Sequence, residues 1–438
     1  MRICVIGLGY IGLPTAAMLA VNGHEVIGVD VNPWIVEELR AGRPHIQEPG
    51  LSAVVQATLS TKSLQVASGP GTADAFIIAV PTPLRGGHAG TSETPMADLS
   101  FVRLATESIV PVLESGDLVI LESTSPPGTS ERVVRPLLET TGLVAGDDFH
   151  LAYCAERVLP GRIMVELVEN DRVVGGVTPE SAEAAKHLYS SFVTGEIHVT
   201  DSATAEMVKL MENTFRDVNI ALANEFSRIA QTQGVDVSEA IALANRHPRV
   251  NILQPGPGVG GHCIAVDPWF LVDVAPDVSP LIRTAREVND RQPYVTAELV
   301  GAATADLADP VVTLLGLTYK ADSDDLRDSP ALRVAGILTE RGYTLRIHDP
   351  YVTQSPAGLS TTAGIDEALQ GSDLMVVLTD HTEYRGLRPE ARAAAGMRTK
   401  RVLDMRCCLD HAAWRAAGFE VQTLRWPRSS PDVLLVGQ

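Results

Sequence analysis

Cys263 is the residue at which the chemistry of this sequence converges. It ends the run QPGPGVGGHC (254–263), where glycine and proline fill most of 255–261 and exclude regular structure before the thiol. Such a loop can bring backbone N–H groups and a nucleophilic sulfur to one point, an arrangement suited to attack on a carbonyl. Asp267 follows four residues on, a spacing that can return its carboxylate to the same pocket. His262 can help to lower the thiol pKa, or its ring can point away. A second set lies upstream: Lys209, Asn213 and Arg216, spaced i, i+4 and i+7, share one face of a helix. A desolvated lysine can act as a base or stabilise an alkoxide, and an asparagine amide can donate to an oxyanion. Taken alone, the same triplet reads equally well as a solvated polar stripe. The run Asn245-Arg246-His247-Pro248-Arg249 is basic in a chain of formal net charge −19, and serves either as phosphate-matching groups or as a surface turn.

The other chemical signal is at the N-terminus. Gly7-x-Gly9-x-x-Gly12 follows an apolar run and opens a helical one. Gly7 permits a tight turn, Gly9 lets the backbone approach a pyrophosphate, and Gly12 allows close helix–strand packing. Asp30 ends the next strand-like run, EVIGVD, where it can accept from a ribose 2′-hydroxyl and repel a 2′-phosphate, favouring NAD over NADP. A Rossmann turn for another nucleotide, or one that binds nothing, is the competing reading. Cys4 and Cys154 fall within strand-like runs and read as small buried thiols, as do Cys407 and Cys408. The five cysteines are odd in number and lack metal-ligand spacing, so neither a disulfide framework nor a metal site is implied, and a reduced, cytoplasmic setting fits.

These residues need elements to position them. Strand-like runs at 2–8, 25–30, 75–80, 117–123 and 150–156 alternate with helical stretches, the first at 12–22, which implies a parallel sheet covered on both faces. Residues 204–234 form one long proline-free helical stretch with Gly234 as its stop, a helix suited to joining two domains and supporting a dimer. The α/β texture returns with strands at 311–317, 344–350, 373–380 and 401–406 and a helix at 330–342. Gly316-Leu-Thr carries only part of a nucleotide fingerprint, compatible with a nucleotide-like ligand or with none. The expected fold is α/β: two Rossmann-like doubly wound domains joined by a long-helix central region, divided at 1–199, 200–300 and 301–438. The Pro- and Ser-rich tail after about 425 reads as loosely ordered surface.

Composition bounds the function. A chain of 438 residues with 45% hydrophobic and 20% charged residues has a globular profile and room for two or three domains. Its acidity argues against coating nucleic acid, and an anionic substrate requires a local Arg and Lys cluster. The apolar N-terminus runs into a glycine turn without a cleavage site, and no apolar stretch reaches membrane-spanning length.

Taken in order, GLGYIG, ESTSPPGT (122–129), YCAERVLPG (153–161), EMVKLMENTFRDVNIA (206–221), NRHPRVNILQPGPGVGGHCIAVDPWF (245–270) and DDLRDSPA (324–331) closely resemble the UDP-glucose/GDP-mannose dehydrogenase family over nearly the whole chain. The stretch 245–270 looks most like the branch acting on UDP-N-acetyl-D-mannosamine. The resemblance implies an N-terminal NAD domain, a helical dimerisation centre and a C-terminal UDP-binding domain. It also implies a four-electron oxidation of the sugar C6 alcohol to a carboxylate using two NAD, with UDP-N-acetylglucosamine and UDP-glucose as alternative substrates. On this pattern Cys263 is the nucleophile that forms a thiohemiacetal and then a thioester, Asp267 assists it, Lys209 is the catalytic lysine and Asn213 the oxyanion donor. Glu156 serves thioester hydrolysis, and Thr124 lies near the water and the nicotinamide. Gly7, Gly9, Tyr10, Ile11, Gly12, Asp30, Thr82, Thr124 and Arg327 match cofactor positions. Arg157, Lys209, Asn213, Arg216, Gly260, Tyr319 and Lys320 match substrate positions; His247 and Arg249 match positions that reach substrate, in some members across a homodimer, and Arg406 an arginine near the domain interface. Ala155 departs from the family's usual proline before Glu156, which loosens that loop but keeps the glutamate. Two readings stand against this one: an NAD-binding sensor without turnover, which has no use for Cys263, Lys209 or Asn213, and a hydroxyacid dehydrogenase, for which no histidine has a suitable motif.

Overall fold

A computed structural model describes residues 1–86, 94–352, 358–394 and 396–424, with 392–394 as backbone only. The tail after 425 lies outside them. Two compact units emerge: Met1–Glu212 with Trp269–Pro276, and Asn213–Pro268 with the chain from Asp277 onward.

The first unit is built on β1 (Arg2–Ile6), β2 (Glu25–Val29), β3 (Leu64–Ala67) and β4 (Ala75–Ile78), with a short antiparallel hairpin β5–β6 (Leu84–Arg85, Met96–Ala97) after them. The strands β7 (Leu118–Leu121), β8 (His150–Tyr153), β9 (Arg172–Gly176) and β10 (Ile197–Asp201) complete it. The sheet order is β10-β9-β8-β7-β4-β1-β2-β3. From β3 to β8 all pairs are parallel; β9 turns antiparallel to β8, and β10 follows β9 in parallel. This is the doubly wound dinucleotide-type order, extended by two strands at one edge. Both faces of the sheet centre are buried because β4 (AFII) and β7 (LVIL) are apolar at every position and β1 at all but its first: Ile3 and Val5 pack with Ile77 and Ile120 on one face, Cys4 and Ile6 with Phe76 and Val119 on the other.

The second unit carries a five-stranded sheet of β11 (Val311–Leu315), β12 (Thr344–His348), β13 (Leu374–Val377), β14 (Arg401–Asp404) and β15 (Glu420–Gln422). Every pair is parallel and the order is β12-β11-β13-β14-β15, the second common doubly wound order. Its faces are again split by strand alternation, Val312, Leu314 and Val376 on one side, Leu315, Met375 and Val377 on the other. The expected α/β class of two doubly wound sheets is therefore the observed one.

The long helix spans Ser202–Gln233, 32 residues, and stops at Gly234, whose φ of +69° a side chain would resist. A second helix, Pro280–Ala303, is 24 residues long and continues through Pro293. Each expected strand ends one to three residues early, since the chain leaves the sheet at its carboxyl end to form the loops that carry the site residues. Among the described residues, six strands escaped the sequence reading: the short β5–β6 hairpin and four others. β9 (RVVGG) ends in two glycines and β10 (IHVTD) is a largely exposed edge, while β3 and β15 are short and mixed in polarity.

Candidate active site

In the first unit the glycine turn is sterically fixed. Gly7 has φ +93°, donates its N–H to Val29 O at 2.8 Å, and a Cβ there would lie 2.4 Å from Ala79 O. A Cβ on Gly12 would lie 1.8 Å from Gly7 O, so the helix Gly12–Val21 can approach β1 only without one. Gly9 differs: a Cβ there meets no protein atom within 4 Å. The middle glycine is thus not demanded by packing, which fits a backbone kept bare for a pyrophosphate at a helix N-terminus. Tyr10 and Ile11 lie in the same turn. Asp30 follows β2; its Oδ2 accepts from Leu8 N at 3.0 Å and its Oδ1 from Asn32 N at 2.8 Å. It ties the turn to β2 while each oxygen keeps a lone pair for a ribose hydroxyl. Across the sheet end, Thr82 Oγ1 donates to Thr124 O at 2.8 Å, which brings two of the expected cofactor residues together. Glu206, on the long helix and fully buried, accepts from Gly128 N, from Ser130 N at 2.8 Å and from Ser130 Oγ at 2.7 Å. Burial pushes its carboxyl up. These groups suit NAD: a bare glycine turn, an acidic ribose acceptor and a fixed threonine pair.

Glu156 is held more firmly than its loop position suggests. Its Oε2 pairs with Arg172 Nη2 at 2.6 Å and its Oε1 accepts from Arg157 N at 2.8 Å. The Arg157 side chain pairs with Glu212 at 2.6 Å, so that substrate candidate is partnered within its own unit. Lys209 is 9% exposed and its side chain makes no hydrogen bond or ion pair among the described residues.

In the second unit, Asn213 Nδ2 donates to Asp267 Oδ2 at 2.6 Å, and Asp267 N donates to Cys263 O at 2.8 Å. Asp267 begins the helix Asp267–Val274, and this turn sets the thiol-bearing residue and the carboxylate four apart, as their spacing implied. Cys263 is exposed, whereas Cys4 and Cys154 are buried with thiols pushed up by burial, to about 12 and about 11. Cys407 and Cys408, expected to be buried, are half-buried, their thiols also raised by burial.

The glycines of the 254–263 loop have separate reasons. Gly258 and Gly261 have φ +142° and +83°. A Cβ on Gly260 would meet Asp328 O at 2.7 Å and Tyr319 Cβ at 2.8 Å, and one on Gly261 would meet the Tyr319 ring at 2.8 Å. Gly261 N donates to Arg327 O at 3.2 Å, and a Cβ on Gly256 would lie 2.8 Å from Arg406 Nη1. The loop therefore meets Tyr319 and Arg327 at Gly260 and Gly261 and Arg406 at Gly256, and Lys320 follows Tyr319. Arg327 pairs with Asp325 in a bidentate fashion, Nε to Oδ1 at 2.8 Å and Nη2 to Oδ2 at 2.6 Å, and Arg406 pairs with Asp380 at 3.0 Å. The His262 imidazole is held below its ordinary value by desolvation and then by the Arg327 charge.

Arg216, His247 and Arg249 are exposed. The turn bearing His247 and Arg249 is fixed from below. Asn245 exchanges hydrogen bonds with Ile252 at 2.9 and 2.8 Å, and Asn219 of the long helix holds Asn251 O at 2.9 Å and Leu253 N at 3.1 Å. The sequence reading missed Asn219, Asn224, Asp217 and Arg286. Asn224 Oδ1 accepts from Gly256 N at 2.9 Å and its amide reaches Asn289 at 2.9 Å; Asn289 bonds Asp217 at 2.8 Å, which pairs with Arg286 at 2.6 Å. Polar residues at positions facing a helix partner were the available signal. Gly316 repeats Gly7: φ +92°, with its N–H on His348 O at 2.9 Å, and Asp349 Oδ2 accepts from Leu317 N at 2.7 Å as Asp30 does from Leu8. Here His381 Nε2 also reaches Asp349 Oδ2 at 3.2 Å.

A dinucleotide-type turn in one unit and, in the other, an exposed cysteine whose backbone is bonded to the aspartate of an Asn–Asp pair are the features of a nucleotide-dependent oxidoreductase. Models of the UDP-glucose/GDP-mannose dehydrogenase family match in sequence: the NAD binding domain at 1–193, the central domain at 203–291 and the UDP binding domain at 313–411. The chain belongs to that family and is an NAD-dependent enzyme acting on a CH–OH group. It is 46% identical over 427 residues to a UDP-N-acetyl-D-mannosamine dehydrogenase of Methanococcus maripaludis, covering 97% of this chain and 96% of that one. It is 49% identical over 395 residues to an NDP-N-acetyl-D-galactosaminuronic acid dehydrogenase of Ralstonia nicotianae, covering 88% and 92%. The solved UDP-N-acetyl-D-mannosamine dehydrogenase of Pyrococcus horikoshii superposes with a TM-score of 0.89 at 43% identity, over 97% of this chain and 99% of that one. Among the described residues no helix is long and apolar enough to cross a membrane.

Proposed function

We propose that this enzyme oxidises the C6 alcohol of UDP-N-acetyl-D-mannosamine to the carboxylate, through a covalent intermediate on Cys263. The observation that carries the chemistry is the buried Asn213–Asp267 hydrogen bond whose helix start also holds the backbone of Cys263. The sugar assignment draws on the relatives from Methanococcus maripaludis and Pyrococcus horikoshii.

When bound against Gly7, Gly9, Gly12 and Asp30, NAD supplies a hydride acceptor, one molecule for each of two oxidations. Lys209 stabilises the alkoxide formed from the C6 hydroxyl. Cys263 captures the resulting aldehyde as a thiohemiacetal, which keeps it from escaping and divides a hard oxidation into easier steps. Asn213 and Lys209 donate to the tetrahedral oxygen. The second oxidation leaves a thioester, and Glu156 with Thr124 orients the water that hydrolyses it. Lys320 and Arg406 supply positive charge that a nucleoside diphosphate requires in an acidic chain, Tyr319 at Gly260 and Gly261 lies against the substrate, and Arg327 contacts NAD. Arg157 and Arg216 complete the substrate contacts.

We further propose a three-part organisation, at 1–199, 200–300 and 301–438, and a homodimer formed along the long helix. That helix exposes Met211 (55%), Phe215 (67%), Leu222 (45%) and Ile229 (52%). Beside it lies an apolar groove of about 310 Å³, lined by Phe226, Ile229, Ala230, Val237, Ile241 and Ile252. Apolar side chains in such a row call for a partner, and the fixed turn carrying His247 and Arg249 is then free to reach the substrate of the second subunit. Free thiols and NAD chemistry suit the cytoplasm, and a hexosaminuronate product suits a surface polysaccharide.

The test is a panel of UDP-sugars with NADH detection. Two NADH per UDP-N-acetyl-D-mannosamine, with UDP-N-acetylglucosamine and UDP-glucose turned over far more slowly, is the expected result. One NADH per sugar would remove the thioester, and preference for another sugar would remove the substrate assignment. Cys263→Ala should form no acid.

A further inference from the structure

Behind Glu156 the first unit buries an ionic cluster with no stated task. Glu122 follows β7, Glu156 follows β8, and Arg172 opens β9, the strand that turns antiparallel to β8. The three side chains are 0%, 5% and 3% exposed. Arg172 Nη2 lies 2.6 Å from Glu156 Oε2, and its Nη1 lies 3.9 Å from Glu122 Oε1 and 3.8 Å from Cys154 Sγ. The guanidinium is clamped from one side by aromatic rings, 4.6 Å from the Tyr189 centroid and 5.5 Å from that of Phe192. The Tyr189 hydroxyl donates to Glu122 Oε1 at 3.1 Å.

One buried cation faces two buried carboxylates, and in a site this dry both are not kept ionised. The short contact goes to Glu156. Glu122 is the more buried of the two and is pushed up to about 8, first by burial and then by the Glu156 charge. Cys154 stays a thiol, raised to about 11 by burial. A glutamate that serves a hydrolytic water must be ionised and must point one way. Ala155 in place of a stiffening proline leaves the loop itself less fixed, so the side-chain holds on Glu156 matter more.

We propose that Arg172 is a positioning residue for Glu156: the aromatic-clamped guanidinium holds Oε2 at 2.6 Å, so that Oε1, which accepts from Arg157 N at 2.8 Å, presents its remaining lone pair in one direction, with Glu122 backing the guanidinium from behind. The step it serves is thioester hydrolysis. Water forms a C–O bond to the acyl carbon, its proton passes to Glu156, the C–S bond breaks, and the Cys263 thiolate leaves as the sugar carboxylic acid forms. The inference rests on the role of Glu156 proposed above.

The test follows the intermediate. Arg172→Lys keeps the charge but loses the planar fork. It should release two NADH per active site in a fast burst, then turn over at least tenfold more slowly, with the acyl group detected on Cys263 by intact-protein mass spectrometry. Because a misplaced cation strands a second buried carboxylate, the same substitution is also made in a Glu122→Gln parent and compared with that parent. Glu156→Gln serves as reference. If Glu156→Gln accumulates no adduct, the hydrolytic role of Glu156 fails. If it does and the folded Arg172→Lys proteins do not, the positioning role alone fails. A uniform slowing of every step, or loss of folding in both backgrounds, would assign Arg172 to structure and overturn the proposal.

Discussion

Asn213 Nδ2 and Asp267 Oδ2 lie 2.6 Å apart, both side chains buried, at the point where the glycine-rich loop of Cys263 becomes helix. The bond fixes the asparagine amide, so one of its N–H groups is committed and the other is aimed. Asp267→Asn replaces the acceptor with a group whose own N–H competes, and the amide loses its orientation. The expected result is a kcat lower by about 100-fold with a smaller change in the UDP-sugar KM, the pattern of a donor used chiefly in the transition state. Steady-state NADH production decides it; an unchanged kcat removes Asp267 from the chemistry.

The fingerprint glycines should separate into two kinds. Gly9→Ala meets no protein atom, so the variant should melt with the parent while NAD affinity, measured by titration calorimetry, falls about tenfold or more. Gly12→Ala places a methyl 1.8 Å from Gly7 O and should lower both Tm and affinity. Equal melting of the two variants would contradict the geometry.

Glu122 gives stability a pH dependence of known sign. Its folded carboxyl is raised to about 8, by burial first, so the folded chain keeps a proton that the unfolded chain releases above its ordinary carboxylate value. Its contribution is complete below that ordinary value and is lost as pH rises through the folded one. Glu206 and Asp217, also raised by burial, act in the same direction. Glu122→Gln has no proton to lose in either state. Its stability relative to the parent should therefore climb from about pH 5 to about pH 8, with a slope of at most ~1.4 kcal/mol per pH unit. Denaturant titrations at several pH values measure it, and a flat difference would place the proton elsewhere.

Phe215 is the most exposed of the large apolar side chains on the long helix. Phe215→Asp should convert the proposed dimer to a monomer in sedimentation and reduce turnover with it, since His247 and Arg249 then have no second subunit to serve. Leu243→Ser, off that helix and also exposed, tests the helix after 237 in the same assay. A parent that sediments as a monomer rejects the dimer outright.

How much of this was legible beforehand differs by element. The strands of both sheets' centres could be read because burial on two faces demands unbroken apolar runs, as in β1, β4 and β7. The edge strands β9 and β10 could not, because glycine and solvent-facing polar residues erase the pattern that a neighbouring strand then supplies. Glu206 shows the same limit within a helix. Nothing in its type or spacing distinguishes it from a surface glutamate, yet it holds the Gly128–Ser130 backbone from a fully buried position.

By itself the sequence determined what repeats locally. The glycine turn with its acid at Asp30, the long helix ended by Gly234, and the four-residue step from Cys263 to Asp267 all follow from backbone conformation and short spacing. Only the tertiary structure decided which distant charges meet. Arg172 finds Glu156, Asn224 finds Gly256, and Arg406 comes to the glycine loop because sheet order and helix packing bring them there. The physical reason is that a buried polar group must be satisfied by whatever the fold places beside it, and the chain separating the partners carries no record of that distance.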